Sequence, residues 1–334
     1  MEMFGFTRAT SAAQAIGVAA QASTAQQGAQ VRFMAGGTTL LDLMKLNVEQ
    51  PQQVVDINHL PFESVEAMSD GGLKIGALVR NADLAHHPLV QKNYPVLSQA
   101  LLSGASAQLR NMATTSGNLL QRTRCMYFRD TAMACNKREP GSGCSAIGGV
   151  NRNLAILGTS EHCIASNPSD MNVALTALEA SIHIEGVHGA RVVPIRDFYL
   201  LPGSTPEKEA VLEPGDLVTH VSLPAPAAGS HSTYLKLRDR ASYEFALASA
   251  AVVVTVKSGT IQHARIAMGG VGTRPWRALE AEQVLEQTSP SDGAFQRAAD
   301  AVLREARPQS GNGFKVELAK RCLVSALRTA TQTL

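Results

Sequence analysis

The sequence predicts an α+β protein in which a long α/β portion is followed by a smaller, separate α+β domain. Three observations predict it. Short apolar strands alternate with helical patterns as far as Leu223, a Pro/Ala/Gly stretch from Pro224 to Gly229 then breaks the pattern, and two β-rich runs, Ala248 to Val256 and Ile261 to Met268, precede two helical segments. A chain of 334 residues, 45% of them hydrophobic, has enough apolar material for more than one domain.

The elements follow in order. Ser11, with Gln14 three residues on, reads as a capping box for a helix through Ala20, and Val31 to Ala35 reads as a short buried strand. Gly36-Gly37 interrupts that strand and Leu40 to Leu46 begins a helix, which closes a first unit over residues 1–60. Residues 61–223 mix strands such as Leu73 to Ala77 with helices such as Val96 to Ala107. Residues 230–334 form the C-terminal α+β domain.

Composition excludes several partner classes. With 30 basic against 28 acidic residues and a net charge of +2, nothing recommends nucleic acid or an anionic membrane surface. No run reaches the roughly 18 apolar residues of a membrane span, and the N-terminus lacks the basic, apolar and cleavage regions of an export signal.

Between strand and helix, Ala35-Gly36-Gly37-Thr38-Thr39-Leu40 offers backbone N–H groups, two hydroxyls and a helix start to a phosphate. A Gly-Gly turn before a helix is more often only a turn, and this one matches neither the P-loop nor the dinucleotide fingerprint. Two further clusters of short donors and acceptors, Thr114-Thr115-Ser116-Gly117-Asn118 and Asn167-Pro168-Ser169-Asp170, supply what a pyrophosphate, a ribityl chain and a flavin edge would require.

Four of the five cysteines crowd into one segment as Cys125-x9-Cys135-x8-Cys144-x18-Cys163. That clustering points to a metal or redox site. A [4Fe–4S] cluster needs four converging thiolates, and the Gly-rich loop Asn136 to Gly143 and a local excess of Arg and Lys would suit its negative charge. Four cysteines also make a structural zinc site, although the closely paired ligands of zinc ribbons are missing, so spacing alone leaves both metals open. Cys322, at i+8 in a Phe314, Leu318, Cys322 stripe, reads as core, and His162 as a solvated neighbour of Cys163.

Taken in order, five segments resemble the FAD-binding medium subunit of the xanthine dehydrogenase and carbon monoxide dehydrogenase family of molybdenum hydroxylases, and look most like the aldehyde oxidoreductases of periplasmic type. They are Phe33-Met34-Ala35-Gly36-Gly37-Thr38-Thr39-Leu40-Leu41, Ala113 to Asn118, Ser169-Asp170-Met171, Tyr234 to Arg238, and Ile266 to Val271. The resemblance implies a two-part FAD-binding α/β domain of the vanillyl-alcohol oxidase type followed by a C-terminal α+β domain of the CO dehydrogenase flavoprotein type. It implies that Phe33 to Leu40 hold the FAD pyrophosphate, that Thr114, Gly117 and Asn118 line the cofactor, that Asp170 binds its ribityl or flavin region and that Lys236 lies near the ring.

Most family members join the second and third segments closely, whereas residues 121–165 here form an insertion holding all four clustered cysteines. Zinc carries no electrons, so within a flavoprotein relay the iron–sulfur reading of Cys125, Cys135, Cys144 and Cys163 is favoured over zinc. The chain reads as an oxidoreductase subunit without a hydroxylating centre of its own. The resemblance implies a molybdopterin-binding large subunit, a small subunit with two [2Fe–2S] clusters and an external electron acceptor. Two readings compete: the equivalent subunit of a hydroxybenzoyl-CoA reductase type enzyme, and a zinc-stapled assembly module without flavin. A folded complex exported on a partner's signal would be periplasmic; otherwise it is cytoplasmic. Tyr243 and Glu244 would stack beside the flavin or gate its acceptor, or merely pack an element end in the C-terminal domain.

Overall fold

The computed structural model describes residues 1–332, so the last two residues of the expected C-terminal domain lie outside it. The first unit is a three-stranded parallel sheet of β1 (Gly5–Arg8), β2 (Val31–Met34) and β3 (Gln53–Asp56), in the order β1-β3-β2. Helix α1 (Ala12–Ala19) is capped by the Ser11 hydroxyl, which accepts from the Gln14 N–H. The return bond differs from the expected capping box: Gln14 Oε1 accepts from the N–H of Thr10, one residue earlier. Strand β2 is half-buried, not buried, because Val31 and Phe33 help wall the cavity described below. Helix α2 (Leu40–Lys45) follows it.

The second unit is a five-stranded antiparallel sheet of β4 (Val65–Ala67), β5 (Leu73–Gly76), β6 (Ser181–Gly186), β7 (Gly189–Pro194) and β8 (Leu217–Leu223), in the order β4-β5-β8-β6-β7. Between β5 and β6 run α3 (Asn81–His86), α4 (Pro88–Asn93), α5 (Pro95–Ser103), α6 (Ala107–Met112), α7 (Thr115–Leu119), the short α8 (Met126–Arg129) and α9 (Asp170–Ala177); α10 (Ile195–Phe198) follows β7. The single helix expected from Val96 to Ala107 is broken. Ala105 adopts φ 51°, a left-handed conformation that ends one helix and lets the Ser106 hydroxyl cap the next by accepting from the Leu109 N–H.

The C-terminal unit is an antiparallel sheet of β9 (Ser230–Leu237), β10 (Ala248–Lys257), β11 (Thr260–Gly269) and the two-residue β12 (Trp276–Arg277). Three helices cover it instead of the expected two: α11 (Leu279–Leu285), α12 (Asp292–Leu303) and α13 (Phe314–Gln332). Alternation along β10 shows why this sheet is buried on both faces: Ala248, Ala250, Val252 and Val254 meet the core under α11 to α13, while Ala251 joins the core formed around α5 and α9. Cys322 lies in the former core, fully buried, as the helical stripe indicates. No helix among the described residues is long and apolar enough to cross a membrane.

Candidate cofactor groove and cysteine cavity

The loop from Ala35 to Thr39 leaves the C-terminal end of β2 and enters α2. Among the described residues, nothing accepts a hydrogen bond from the backbone N–H groups of Gly36, Gly37, Thr38, Thr39 or Leu40. Five consecutive free donors at a strand-to-helix turn are an anion cradle. Gly37 takes φ 73°, which favours glycine. Gly36 is required for a different reason: a Cβ there would stand 2.0 Å from the Met112 carbonyl oxygen, so this loop and the Thr114 loop touch through it.

Two cavities flank the loop. One is walled by Phe33, Thr38, Thr39, Glu49, Arg122 and Asp216, the other by Thr38, Asn118, Arg124, Asp170, Tyr243 and Phe245. Both include Thr38, Thr39 and Gly117, so they adjoin at the glycine loop and together make the candidate groove. The fold brings Ala35, Gly36, Gly37, Thr38, Thr39, Leu40, Thr114, Gly117, Asn118 and Asp170 together on its walls. Met34 lies on β2 outside those walls, its carbonyl accepting from the Ile57 N–H.

Thr114 caps α7 by accepting from the Gly117 N–H at 3.1 Å. Asn118 Oδ1 accepts from the Ser169 hydroxyl at 2.7 Å, which ties the second and third segments. Asp170 begins α9 and is buried; its Oδ1 accepts from the Tyr234 hydroxyl at 2.6 Å and its Oδ2 from the Lys236 ammonium at 2.8 Å. Lys236 therefore stands behind Asp170, also donating to the Ser103 carbonyl, and is absent from the cavity wall. Tyr243 is on the wall, half exposed, in a loop where it adopts φ 53°. The Arg124 guanidinium lies 5.2 Å over the neighbouring Phe245 ring.

Asn58 and Arg80 also shape the groove and escaped the sequence reading. Asn58 donates to the Ala35 carbonyl at 2.8 Å and accepts from Arg80, which donates to the Met112 carbonyl at 2.6 Å. The Asp56–Asn58 turn, in which Asp56 Oδ1 accepts from the Asn58 N–H, is the local signal that could have identified the first of them.

In the insertion, Cys125, Cys135, Cys144 and Cys163 are all free thiols and line one cavity with Phe128, Lys137 and His162. His162 is exposed. The hairpin-like pairing of Cys135 with Cys144 brings the two middle cysteines side by side. Among the described residues, no group of three or more His, Cys, Asp or Glu side chains is arranged to hold a metal ion, although the four cysteines line one cavity. Burial pushes the Cys125 thiol up to about 11 and raises that of Cys163, which the Lys137 ammonium partly opposes.

The groove and the cysteine cavity share parts. Leu43 of α2 walls the groove and packs with Cys125, Phe128, Cys135 and Cys163 in one apolar cluster, which Val48 completes. Asp42, also on α2, receives Arg129 at 2.8 Å and Arg124 at 3.3 Å, and these guanidinia hold its carboxyl below the usual range. Glu49, 3% exposed, sits between Arg32 and Arg122.

Comparison with known proteins agrees with this geometry. Residues 2–226 match the family model of the FAD-binding domain in molybdopterin dehydrogenase, and residues 232–330 that of the CO dehydrogenase flavoprotein C-terminal domain. The chain is 48% identical over 331 residues to the aldehyde oxidoreductase FAD-binding subunit PaoB of Escherichia coli, covering 99% of each, and 27% identical over 310 residues to the carbon monoxide dehydrogenase medium chain of Hydrogenophaga pseudoflava, covering 91% of each. A solved carbon monoxide dehydrogenase from Hydrogenophaga pseudoflava superposes with a TM-score of 0.77 at 26% identity, over 99% of this chain and 98% of that one. The free donors of the glycine loop and the two cavities adjoining it fit FAD, and the chain belongs to the FAD-binding medium subunits of the xanthine dehydrogenase and CO dehydrogenase family, oxidoreductases of the molybdenum hydroxylase class.

Proposed function

We propose that this chain is the FAD and [4Fe–4S] electron-transfer subunit of a molybdenum-dependent aldehyde oxidoreductase. In that assembly a molybdopterin-binding large subunit and a small subunit with two [2Fe–2S] clusters supply electrons, and an external acceptor removes them. The observation that carries the reading is the gathering of four free cysteines around one cavity that shares Leu43 with the cofactor groove. Zinc carries no electrons, so four thiols beside a flavin groove favour an iron–sulfur cluster over a zinc ion. When bound, FAD exchanges one or two electrons and a [4Fe–4S] cluster one, which lets a two-electron oxidation serve varied acceptors.

The chain's own residues have separable tasks in this reading. The N–H groups of Gly36 to Leu40, with the Thr38 and Thr39 hydroxyls, hold the FAD pyrophosphate. Thr114, Gly117 and Asn118 line the cofactor's path, and Asp170, held in place by Lys236 and Tyr234, accepts from its ribityl or ring donors. Tyr243, Glu244 and Phe245 close the open side of the groove and limit what approaches it. Cys125, Cys135, Cys144 and Cys163 are the cluster ligands.

The test is a visible spectrum, iron and zinc content, and low-temperature EPR after dithionite reduction, on the complex purified anaerobically. The expected result is flavin with about four irons attributable to this subunit, lost in Cys125→Ser or Cys144→Ser. Zinc in place of iron would leave a flavoprotein with a structural staple, absence of flavin would overturn the reading, and a cluster potential far below that of the flavin would favour a hydroxybenzoyl-CoA reductase type enzyme. We further place the complex in the periplasm, exported folded on a partner's signal, by the resemblance to periplasmic aldehyde oxidoreductases; osmotic-shock fractionation followed by an activity stain checks it.

A further inference from the structure

A chain of alternating charges runs from the cofactor groove to the cysteine cavity. Arg32 meets Glu49 at 2.9 Å, Glu49 meets Arg122 at 2.5 Å, Arg122 meets Glu209 at 2.5 Å, and Glu209 meets Lys137 at 3.0 Å. Arg32, Glu49 and Arg122 wall the groove, whereas Lys137 walls the cysteine cavity together with Cys163. The five side chains are 30% exposed at most, and Glu49, Lys137 and Arg122 only 3%, 9% and 11%. Three cations against two carboxylates leave one positive charge in excess in a poorly solvated place, and Arg122 Nη2 is buried without a partner among the described residues. Such an excess is costly unless an anion lies nearby. The terminal cation is also fixed: Lys137 Nζ donates to the Pro206 carbonyl at 2.7 Å as well as to Glu209.

We propose that Lys137 is a potential-setting residue for the cluster held by the four cysteines: its pinned ammonium stabilises the electron-rich state, and Glu209 opposes it. This rests on the iron–sulfur reading above. Each electron delivered to the site, by dithionite in a titration or by a reduced partner centre in the enzyme, adds one negative charge with no bond made or broken. A fixed cation beside Cys163 favours that added charge and a fixed anion disfavours it.

The experiment is an EPR-monitored redox titration of the purified complex, with iron counted first. Lys137→Met should shift the one-electron equilibrium about tenfold toward the oxidised cluster, 59 mV downward in potential, while Lys137→Arg stays near wild type. Glu209→Gln, in which Lys137 keeps the Pro206 carbonyl, should move the potential the other way. Opposite shifts at full iron content support the inference, since loosened packing alone would not reverse sign with the charge removed. If Lys137→Met fails to retain iron, the upward shift in Glu209→Gln decides alone. Unmoved potentials, or shifts of one sign, in iron-loaded variants overturn the inference and leave the iron–sulfur reading standing; a wild-type complex without iron in this subunit overturns both.

Discussion

Asp170 and Lys236 are 8% and 3% exposed, and the Asp170 carboxylate accepts from both Lys236 and Tyr234, so each ion is compensated within the fold. A buried pair of this kind adds little net stability over an apolar one, but breaking it strands a charge at a cost of about 3–5 kcal/mol. Asp170→Ala should therefore destabilise the chain by roughly that amount, and Asp170→Ala with Lys236→Met should recover most of the loss; urea unfolding of the two variants beside wild type checks it. Both residues were legible in the sequence as parts of separate segments. Their partnership was not, because Asp170 and Lys236 lie 66 residues apart and only the packing of α9 on the C-terminal sheet, against β10 and β11, brings them together. The same limit applies to Glu49, Arg122 and Glu209: nothing local in the sequence marks a carboxylate paired with an arginine 73 or 87 residues away.

On the outward face of the five-stranded sheet, His183 of β6 and His220 of β8 stack with ring centroids 3.9 Å apart and planes 16° from parallel. Burial, the His183 ring and Lys74 bring His220 down to about 4 from an ordinary value of 6.5, and burial lowers His183 as well. The folded state thus takes up these protons later than the unfolded chain does, so their contribution to stability is whole above about pH 6.5 and falls as pH drops toward 4. His220→Gln should flatten the stability profile across that window while leaving it unchanged near pH 8, as read by urea midpoints at successive pH values. Periodicity announced such strands well wherever an alternating face was half-buried, as in β5, and the turn chemistry announced α1. It missed β1 and β3, four-residue strands of the parallel sheet, because β1 is mostly exposed and β3 mostly buried, so neither carries an alternating face to read. The break between α5 and α6 was equally hidden, since it depends on Ala105 taking a left-handed conformation that Gly104, the residue before it, would take more easily.

The first unit is a small body with a correspondingly small core of its own, around Val55, Ile57 and Leu60, and much of what steadies its cofactor-facing side comes from elsewhere. Leu43 and Val48 bury themselves among the cysteines of the insertion, Asp42 is held by Arg124 and Arg129, and Glu49 by Arg122. The segment from Asp42 to Glu49 begins in α2, directly after the glycine loop whose free N–H groups face the groove. Loosening the cysteine cavity should therefore loosen the flavin loop, although no cysteine is among the residues walling the groove on either side of that loop. On the iron–sulfur reading, Cys135→Ser, which removes a cluster ligand without touching the groove, should weaken FAD retention about tenfold, equivalent to 1.4 kcal/mol, in a flavin-release titration followed by fluorescence. Asp42→Asn, which keeps the cysteines but weakens the clamp on Arg124 and Arg129, should show a smaller loss in the same direction with iron retained. Unchanged flavin affinity in an iron-depleted Cys135→Ser protein would mean that the insertion and the groove share residues without sharing stability, and that the first unit holds its cofactor loop by its own sheet alone.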